Sequence, residues 1–429
     1  MSVNTPHPLP PDSPEALHPL LRFLRFARRP LERFFQIEAA SGILLLVTAA
    51  LALGWANSPW ASSYQHLWHT PFGFALGAFA VEKTLAWFVN DALMVLFFFV
   101  VGLEIRREIH RGELSEWRRA ALPVAAALGG MLAPAGLYLL LAGDTETHSG
   151  WGVPMATDIA FAVGILMLLG KRVPPALRVL LLAVAVIDDL GAIVVIALFY
   201  SSGIQPLGLL VAAAGFGAIV AMQRLGVRSK LLYVLPAVVV WAGIYAAGVH
   251  PTIAGVLVGL LTPVLASDGE VPPSESLITT LHPWVAFGIM PVFALANAGV
   301  TLSGGSFGPF ATNVLNAVAV GLVLGKPLGI LSACWLALRL RIGTLPLGLT
   351  FRHLLVLGVV AGVGFTMALF IAQLAFVNAE LLAAAKLGVL VASACAAVLA
   401  FGLGRVLLLP VAVVGAAQSE DEAESSTEK

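Results

Sequence analysis

The chain has 429 residues, of which 59% are hydrophobic and 11% charged, with a mean hydropathy of +0.93 and a formal net charge of zero. A soluble domain carries about 25% charged residues, so a soluble globular fold is excluded, and the zero net charge argues against a nucleic-acid partner. The two cysteines, Cys334 and Cys395, sit inside apolar runs and read as small buried hydrophobes rather than as a disulfide or a metal site.

In chain order, residues 1–36 are Pro-rich and then Arg-rich, with no apolar h-region, so they read as a cytoplasmic N-terminal segment and not as a cleaved signal. A helix needs about 20 apolar residues to cross the hydrocarbon core. Such segments recur near 37–57, 85–106, 119–142, 151–170, 176–200, 205–225, 231–248, 250–265, 282–300, 313–338, 353–376 and 382–408. A membrane barrel would show short alternating segments instead. The expected fold class is an all-α polytopic membrane protein of about twelve helices over 37–408. The loop 58–84 is the longest on the outer side. Its Trp60, Tyr64, Trp68, Phe72, Phe74 and Phe79 suit an interfacial helix, a hairpin or a simple headgroup belt. Residues 409–429 read as a cytoplasmic tail whose acidic, Ser-rich end, Gln418–Lys429, is expected to be disordered.

Lys and Arg set the orientation. With both termini inside, all the basic residues except Lys83, Lys326 and Lys386 fall on the inner side. Arg22, Arg25, Arg28, Arg29 and Arg33 precede the first span, and Arg106, Arg107, Arg111, Arg118 and Arg119 crowd one loop.

Ionisable residues within a span are expensive, about 2.5–3.5 kcal/mol each on insertion scales, and default to functional candidates. Four lie near mid-span: Asp158, Asp188, Asp189 and Lys326. Asp188 and Asp189 stand about 12 residues into their run, roughly 18 Å, close to the midplane. Neighbouring helical residues point about 100° apart, so one carboxylate can line a cavity while the other meets a different helix. Close buried acids titrate as a coupled unit. A purely structural set of salt-bridged acids fits less well, because one lysine cannot neutralise three carboxylates. Asp158 lies in GWGVPMATDIAFAVGILMLLG, where Pro154 and the Thr157–Asp158 pair interrupt a short span. Thr and Asp are good N-caps, so a second half-helix would start at Ile159, with a carboxylate at its positive end. Lys326, in LVLGKPLGI, is too central to reach an interface, and its available counter-charges are the three aspartates.

The run VVAGVGFTMALFIAQ, with Gly362, Gly364 and Thr366, suits close packing by small residues. Paired with the break at Asp158 it suggests a second interrupted helix, with 119–200 and 313–408 as inverted repeats. Interrupted helices in corresponding positions point to a transporter site. A midplane set of carboxylates and a hydroxyl suits a small hard cation, and protons compete for the same oxygens.

These stretches, together with NDALMVLFFFVVGLEIRREI, VAVIDDLGAIVVIALFY, GVHPTIAGVLVGLLTP and LHPWVAFGIMPVFALANAGV, resemble the NhaA family of Na⁺/H⁺ antiporters over nearly the whole span region. The rule about paired broken helices was itself drawn partly from that family. The resemblance implies a secondary transporter, not an enzyme, with no cofactor beyond the transported Na⁺ or Li⁺ and H⁺. It implies Asp189 as principal cation ligand and proton carrier, with Thr157 and Asp188 assisting. Asp188 would pair with Lys326, and Asp158 would balance the facing half-helix ends. Glu104 and Glu108 would tune the pH response at the cytoplasmic mouth. His250 would add to that tuning, though a plain helix-end role suits it equally, and Asp91 is as well explained structurally. The resemblance also implies electrogenic exchange in a bacterial inner membrane, for sodium and pH homeostasis, and a homodimer touching through 58–84. One departure matters. Better-known members carry an acid and a histidine just before LHPW, where this chain has Ile278 and Thr279. A flattened or shifted pH profile is therefore expected.

Three rival readings fit less well. An intramembrane aspartyl protease would not place a lysine in its site. A passive channel would want rings of acids or carbonyls. An organic-solute symporter would want an aromatic or arginine clamp at the midplane.

Overall fold

The computed structural model describes residues 40–76, 79–201, 203–227, 229–264, 271–301 and 307–409. The expectations for the N-terminal segment and for the acidic tail beyond 409 lie outside the described residues. In chain order come α1 (Ala40–Ala56), α2 (Ala61–His69), α3 (Leu85–Arg111), α4 (Trp117–Ala142), α5 (Glu146–Met155), α6 (Ile159–Leu168), α7 (Pro175–Phe199) and α8 (Pro206–Arg224). They are followed by α9 (Lys230–Ala246), α10 (Thr252–Leu261), α11 (Pro273–Asn297), α12 (Pro309–Arg339), α13 (Phe351–Ala361), α14 (Phe365–Ala375) and α15 (Ala379–Leu407).

Among the described residues, seven helices are long and apolar enough to cross a membrane, or ten spans if each bent pair counts as one. The α9 and α10 helices are apolar but shorter than the 20-residue yardstick. The chain is thus an all-α polytopic membrane protein. Its only sheet among the described residues is an antiparallel hairpin, β1 (Pro71–Leu76) and β2 (Phe79–Thr84). Both α2 and this hairpin fall in the long 58–84 loop, where the aromatic residues suited either form.

Local chemistry explains the element ends. The α7, α8, α11 and α12 helices open on a proline, which fixes φ and lacks an N–H that the first turn could not use. Asn378 caps α15, its Oδ1 accepting from Glu380 N at 2.9 Å. The α11 helix begins at Pro273, ahead of the expected 282, because its first two turns, PSESLITT, form a polar extension that hydropathy alone does not register.

Three π-helical turns interrupt the long spans, at Phe88–Leu93, Val285–Ile289 and Gly321–Gly325. Each widens the helix locally and changes the direction of the side chains that follow; the last ends directly before Lys326.

Small residues bring the backbones together. The α4 and α12 helices meet at Gly129 and Gly329, where a Cβ on either would lie within 2.2 Å of the other's carbonyl oxygen. That close crossing carries Lys326 into the interior, where it is fully buried. The α15 helix packs against α12, α13 and α14 and closes the far side of the same bundle.

Candidate functional site

Two helices break at one place. The α5–α6 pair is bent by 45° and the α13–α14 pair by 47°. At the first break, Pro154 lies in a 3-10 turn, Ser149–Met155, and Ala156 to Asp158 run extended before Ile159 opens α6. At the second, Gly362, Val363 and Gly364 separate the half-helices.

The breaks satisfy one another. Asp158 N donates to Val363 O at 2.8 Å, and Thr157 Oγ1 donates to Ala361 O at 3.0 Å. The Asp158 carboxylate accepts from Phe161 N at 3.0 Å through Oδ1 and from Thr366 N at 3.1 Å through Oδ2, and the Thr366 hydroxyl also donates to Oδ2. One buried carboxylate therefore caps the starts of both α6 and α14. Each start exposes unpaired N–H groups and a partial positive charge, so a single anion serves both.

The basic side chain stands at the opposite pole. Lys326 Nζ donates to Asp188 Oδ2 and to Thr157 Oγ1, and Thr157 Oγ1 lies 2.6 Å from Asp188 Oδ2. Thr157 also reaches Ala361 O, the negative end of α13, so the ammonium lies one hydroxyl away from a helix C-terminus. Asp158, Asp188, Asp189, Lys326, Thr157 and Thr366 are all buried. Exposing so many polar groups to lipid would be prohibitive, and pairing them across the two breaks is what makes their burial tolerable.

Asp189, one residue on from Asp188 in α7, points elsewhere. It lines a cavity of about 60 Å³ together with Glu104, Asp158, Ser41 and His282. Its Oδ1 is buried and accepts no hydrogen bond among the described residues. A buried carboxylate oxygen without a donor asks for a proton or a cation. The cavity is large enough to hold water or a small ion. Glu104 comes from the C-terminal half of α3, Ser41 from the first turn of α1 and His282 from the N-terminal half of α11. Phe98, Phe293 and Phe370 pack ring to ring at 5.3 and 6.1 Å, and Phe370 touches His250.

The sequence-predicted site residues thus fall into two groups. Asp158, Asp188, Asp189, Thr157, Lys326 and Glu104 come together at the crossing and its cavity. Glu108 and His250 do not. Glu108 lies one turn beyond Glu104 on α3 and is absent from the cavity wall. His250 pairs at 3.4 Å with Asp91 and at 2.8 Å with Thr252 Oγ1 at the other end of the helices. Ile278 is buried, and the Thr279 hydroxyl turns back onto Glu275 O and Ser276 O, so neither supplies a charge near the cavity. Sequence reasoning missed Ser393, whose Oγ accepts from Phe365 N at 3.1 Å, and it missed Ser41 and His282 as cavity walls. A lone serine in an apolar helix carries no signal of its own. His282 was visible only as part of LHPW.

The family model described as Na⁺/H⁺ antiporter 1 matches residues 32–403. The chain belongs to that family. It is similar to "Na(+)/H(+) antiporter NhaA 2" of Myxococcus xanthus (strain DK1622), at 63% identity over the whole of both chains. It is also similar to the protein of the same name from Sorangium cellulosum (strain So ce56), at 52% identity over 96% of this chain and 97% of that one. "Na(+)/H(+) antiporter NhaA" of Acidovorax sp. (strain JS42) is 55% identical over 87% of this chain and 91% of that one. For this antiporter-family chain, the two crossed breaks and the carboxylate cavity between them are the candidate transport site.

Proposed function

We propose that the protein is a secondary transporter that exchanges Na⁺ (or Li⁺) for protons across the bacterial inner membrane, with both termini cytoplasmic. The observation that carries this reading is the buried Asp189 carboxylate, which lines a small cavity and whose Oδ1 has no hydrogen-bond partner among the described residues, while Oδ2 of its neighbour Asp188 is held by Lys326. Asp189 is then the primary ligand and proton carrier. Asp188 and the Thr157 hydroxyl are the further oxygens that a dehydrated Na⁺ needs, and Asp158 and Lys326 balance the half-helix ends. Binding Na⁺ at Asp188 competes with Lys326, so cation entry and release of the ammonium are linked. A site that holds either cation or proton, presented to one side at a time, exchanges the two.

In this orientation the cavity walls from Ser41, Glu104 and His282 lie on the cytoplasmic side, so this conformation receives Na⁺ from the cell. If more protons enter than Na⁺ ions leave, the membrane potential drives export with about 2.3 kcal/mol per net charge per 100 mV. Glu104, which lines the cavity, is the acid best placed to tune its field; Glu108 and His250 act from farther away. Because Ile278 and Thr279 hold no charge, a flattened or shifted pH profile is expected, the flattened form showing little change in activity between mildly acidic and alkaline pH. A steep alkaline rise would refute that flat profile.

Among the described residues the outer edges of β1 and β2 have no strand partners, and such edges favour pairing with another chain. This supports a homodimer joined through the 58–84 region, and removing the hairpin, residues 71–84, should yield monomers in detergent by light scattering.

The first test is dissipation of a pH gradient on adding Na⁺ to everted membrane vesicles. Wild type should respond and Asp189→Asn should not. A response that survives the substitution would keep the exchange but displace the ion from Asp189. No response in wild type over a wide pH range would overturn the antiport reading.

A further inference from the structure

The outer half of the first broken helix is fastened by two phenols. Tyr138, fully buried on α4, donates through its hydroxyl to Thr147 O at 2.7 Å. Tyr200, the residue that ends α7, donates to Ser149 O at 2.7 Å. The fit is tight around both. A Cβ on Gly150 would lie 2.4 Å from the Tyr138 hydroxyl, and one on Gly152 would lie 2.8 Å from that of Tyr200. Trp151 stacks edge-on against Phe199 at 5.1 Å, so the segment is keyed to α7 on a third side.

The same helix, α7, also holds the inner end of this segment. Asp188 lies twelve residues before Tyr200, about 18 Å along an α-helix. Between these two anchor points the broken helix spans only Ser149 to Thr157. At the α-helical rise those eight residue-to-residue steps would cover about 12 Å, but at the 3-10 rise of about 2.0 Å per residue they cover about 16 Å. Ser149–Met155 is 3-10 throughout and Ala156–Asp158 runs extended. The segment is thus drawn out, with phenols at one end and the Thr157–Asp188 hydrogen bond of 2.6 Å at the other.

We infer that Tyr138 and Tyr200 are positioning residues for the cation site: by pinning the outer end of the drawn-out segment they set where the Thr157 hydroxyl stands relative to Asp188 and Lys326. Neither phenol lines the cavity. Losing their hydroxyls removes the pins at Thr147 O and Ser149 O, the drawn-out segment is free to shorten toward α-helix, and Thr157 is drawn off the site.

This inference rests on the antiport reading above, and the test separates the two. Na⁺-dependent proton movement is measured in everted vesicles for wild type, Tyr138→Phe, Tyr200→Phe and the double variant, with thermal unfolding of each purified full-length protein alongside. Phenylalanine keeps the ring packing and removes only the donor. The double variant should raise the apparent KM for Na⁺ about fivefold or more, the size of a lost neutral hydrogen bond, with the maximal rate within about twofold of wild type. In a Thr157→Ala background the same substitutions should add no further rise, because they act through that hydroxyl. An unchanged KM in the double variant overturns the inference, as does a KM rise that adds in full to that of Thr157→Ala. So does a lower unfolding temperature with no change in KM, which marks a purely structural clamp. If the double variant fails to accumulate, Tyr200→Phe alone decides by the same measures. A wild type that moves no protons on adding Na⁺ refutes the antiport reading instead.

Discussion

The two helix breaks meet at one point but are built from different materials. The first, at Ala156–Asp158, brings a hydroxyl and a carboxylate into the interior. The second, at Gly362–Gly364, brings no ionisable group and offers chiefly main-chain atoms, the carbonyls of Ala361 and Val363 and the amides of Phe365 and Thr366, with the Thr366 hydroxyl beside them. One break is chemistry and the other is a socket for it. The difference has a physical reason. A second set of charges would need its own counter-charges in a medium that solvates none of them, whereas backbone dipoles are present anyway and are already oriented by the half-helices. Substitutions at the first break and its partners should therefore change charge balance, and those at the second should change packing.

The largest effect is expected at Lys326. Its ammonium is the basic partner of Asp188 and is fully buried. Lys326→Ala leaves that carboxylate without its ion-pair partner, and breaking a buried pair destabilises by about 3–5 kcal/mol. Adding Asp188→Asn should recover part of this loss, because the uncompensated charge is gone. Thermal unfolding of the two purified variants in detergent reads the difference. Equal stability of the single and double variants would mean that Asp188 finds another counter-charge.

Next comes Asp158, the one carboxylate common to both breaks. Asp158→Ala uncaps α6 and α14 together, at about 1–2 kcal/mol for each helix start. Asp158→Asn keeps one acceptor oxygen and should fall between wild type and alanine. A smaller loss for alanine than for asparagine in the unfolding midpoint would show that the shared cap is not what stabilises the crossing.

The socket side predicts a different pattern. A Cβ on Gly362 would stand 2.6 Å from Leu322 O, a backbone atom that cannot swing away. Gly362→Ala should destabilise by about 1–3 kcal/mol through overpacking. The apparent affinity for Na⁺ should move far less than it does in Thr157→Ala. A shift in affinity as large as that of Thr157→Ala, measured in vesicles, would erase the distinction between the breaks.

How much of this was legible beforehand follows from what burial makes rare. Charges inside apolar runs are conspicuous, so Asp158, Asp188, Asp189 and Lys326 stood out, and the structure brings them together. Pro154 followed by Thr157 and Asp158 marks an interruption because these types disfavour the helix interior and favour its start. The glycines of the second break are weaker signals, since glycine serves helix packing equally well, and they gained meaning from the first break. The partners that complete the site were not legible. Tyr138, Tyr200 and Ser393 act through main-chain carbonyls and amides, and nothing in a sequence says which backbone atom a hydroxyl will meet. The π-helical turn before Lys326 was equally hidden, because an extra residue per turn leaves hydropathy unchanged. Glu108 and His250 show the converse. Their positions in recognisable stretches suggested a part in the pH response, for His250 no more strongly than a helix-end role, and helix geometry sets one a turn past the cavity and the other against Asp91.

Ser393 carries the smallest expected effect and the finest distinction between the breaks. The N-terminus of α6 is capped from within its own chain segment by Asp158, whereas α14 borrows one acceptor from Asp158 and a second from Ser393 on α15. The second break has no polar side chain at its own N-cap position, which is Gly364, so a neighbouring helix supplies the oxygen. Ser393→Ala removes a single acceptor from a buried amide and should lower stability by about 1 kcal/mol, as the loss of an N-cap does. Ser393→Thr keeps the oxygen and should recover that loss unless its added methyl meets the packed α14. Hydrogen exchange at Phe365, compared between wild type and Ser393→Ala, isolates the effect: faster exchange confined to the start of α14 supports a borrowed cap, and exchange unchanged there would mean that the socket holds its shape through Asp158 alone.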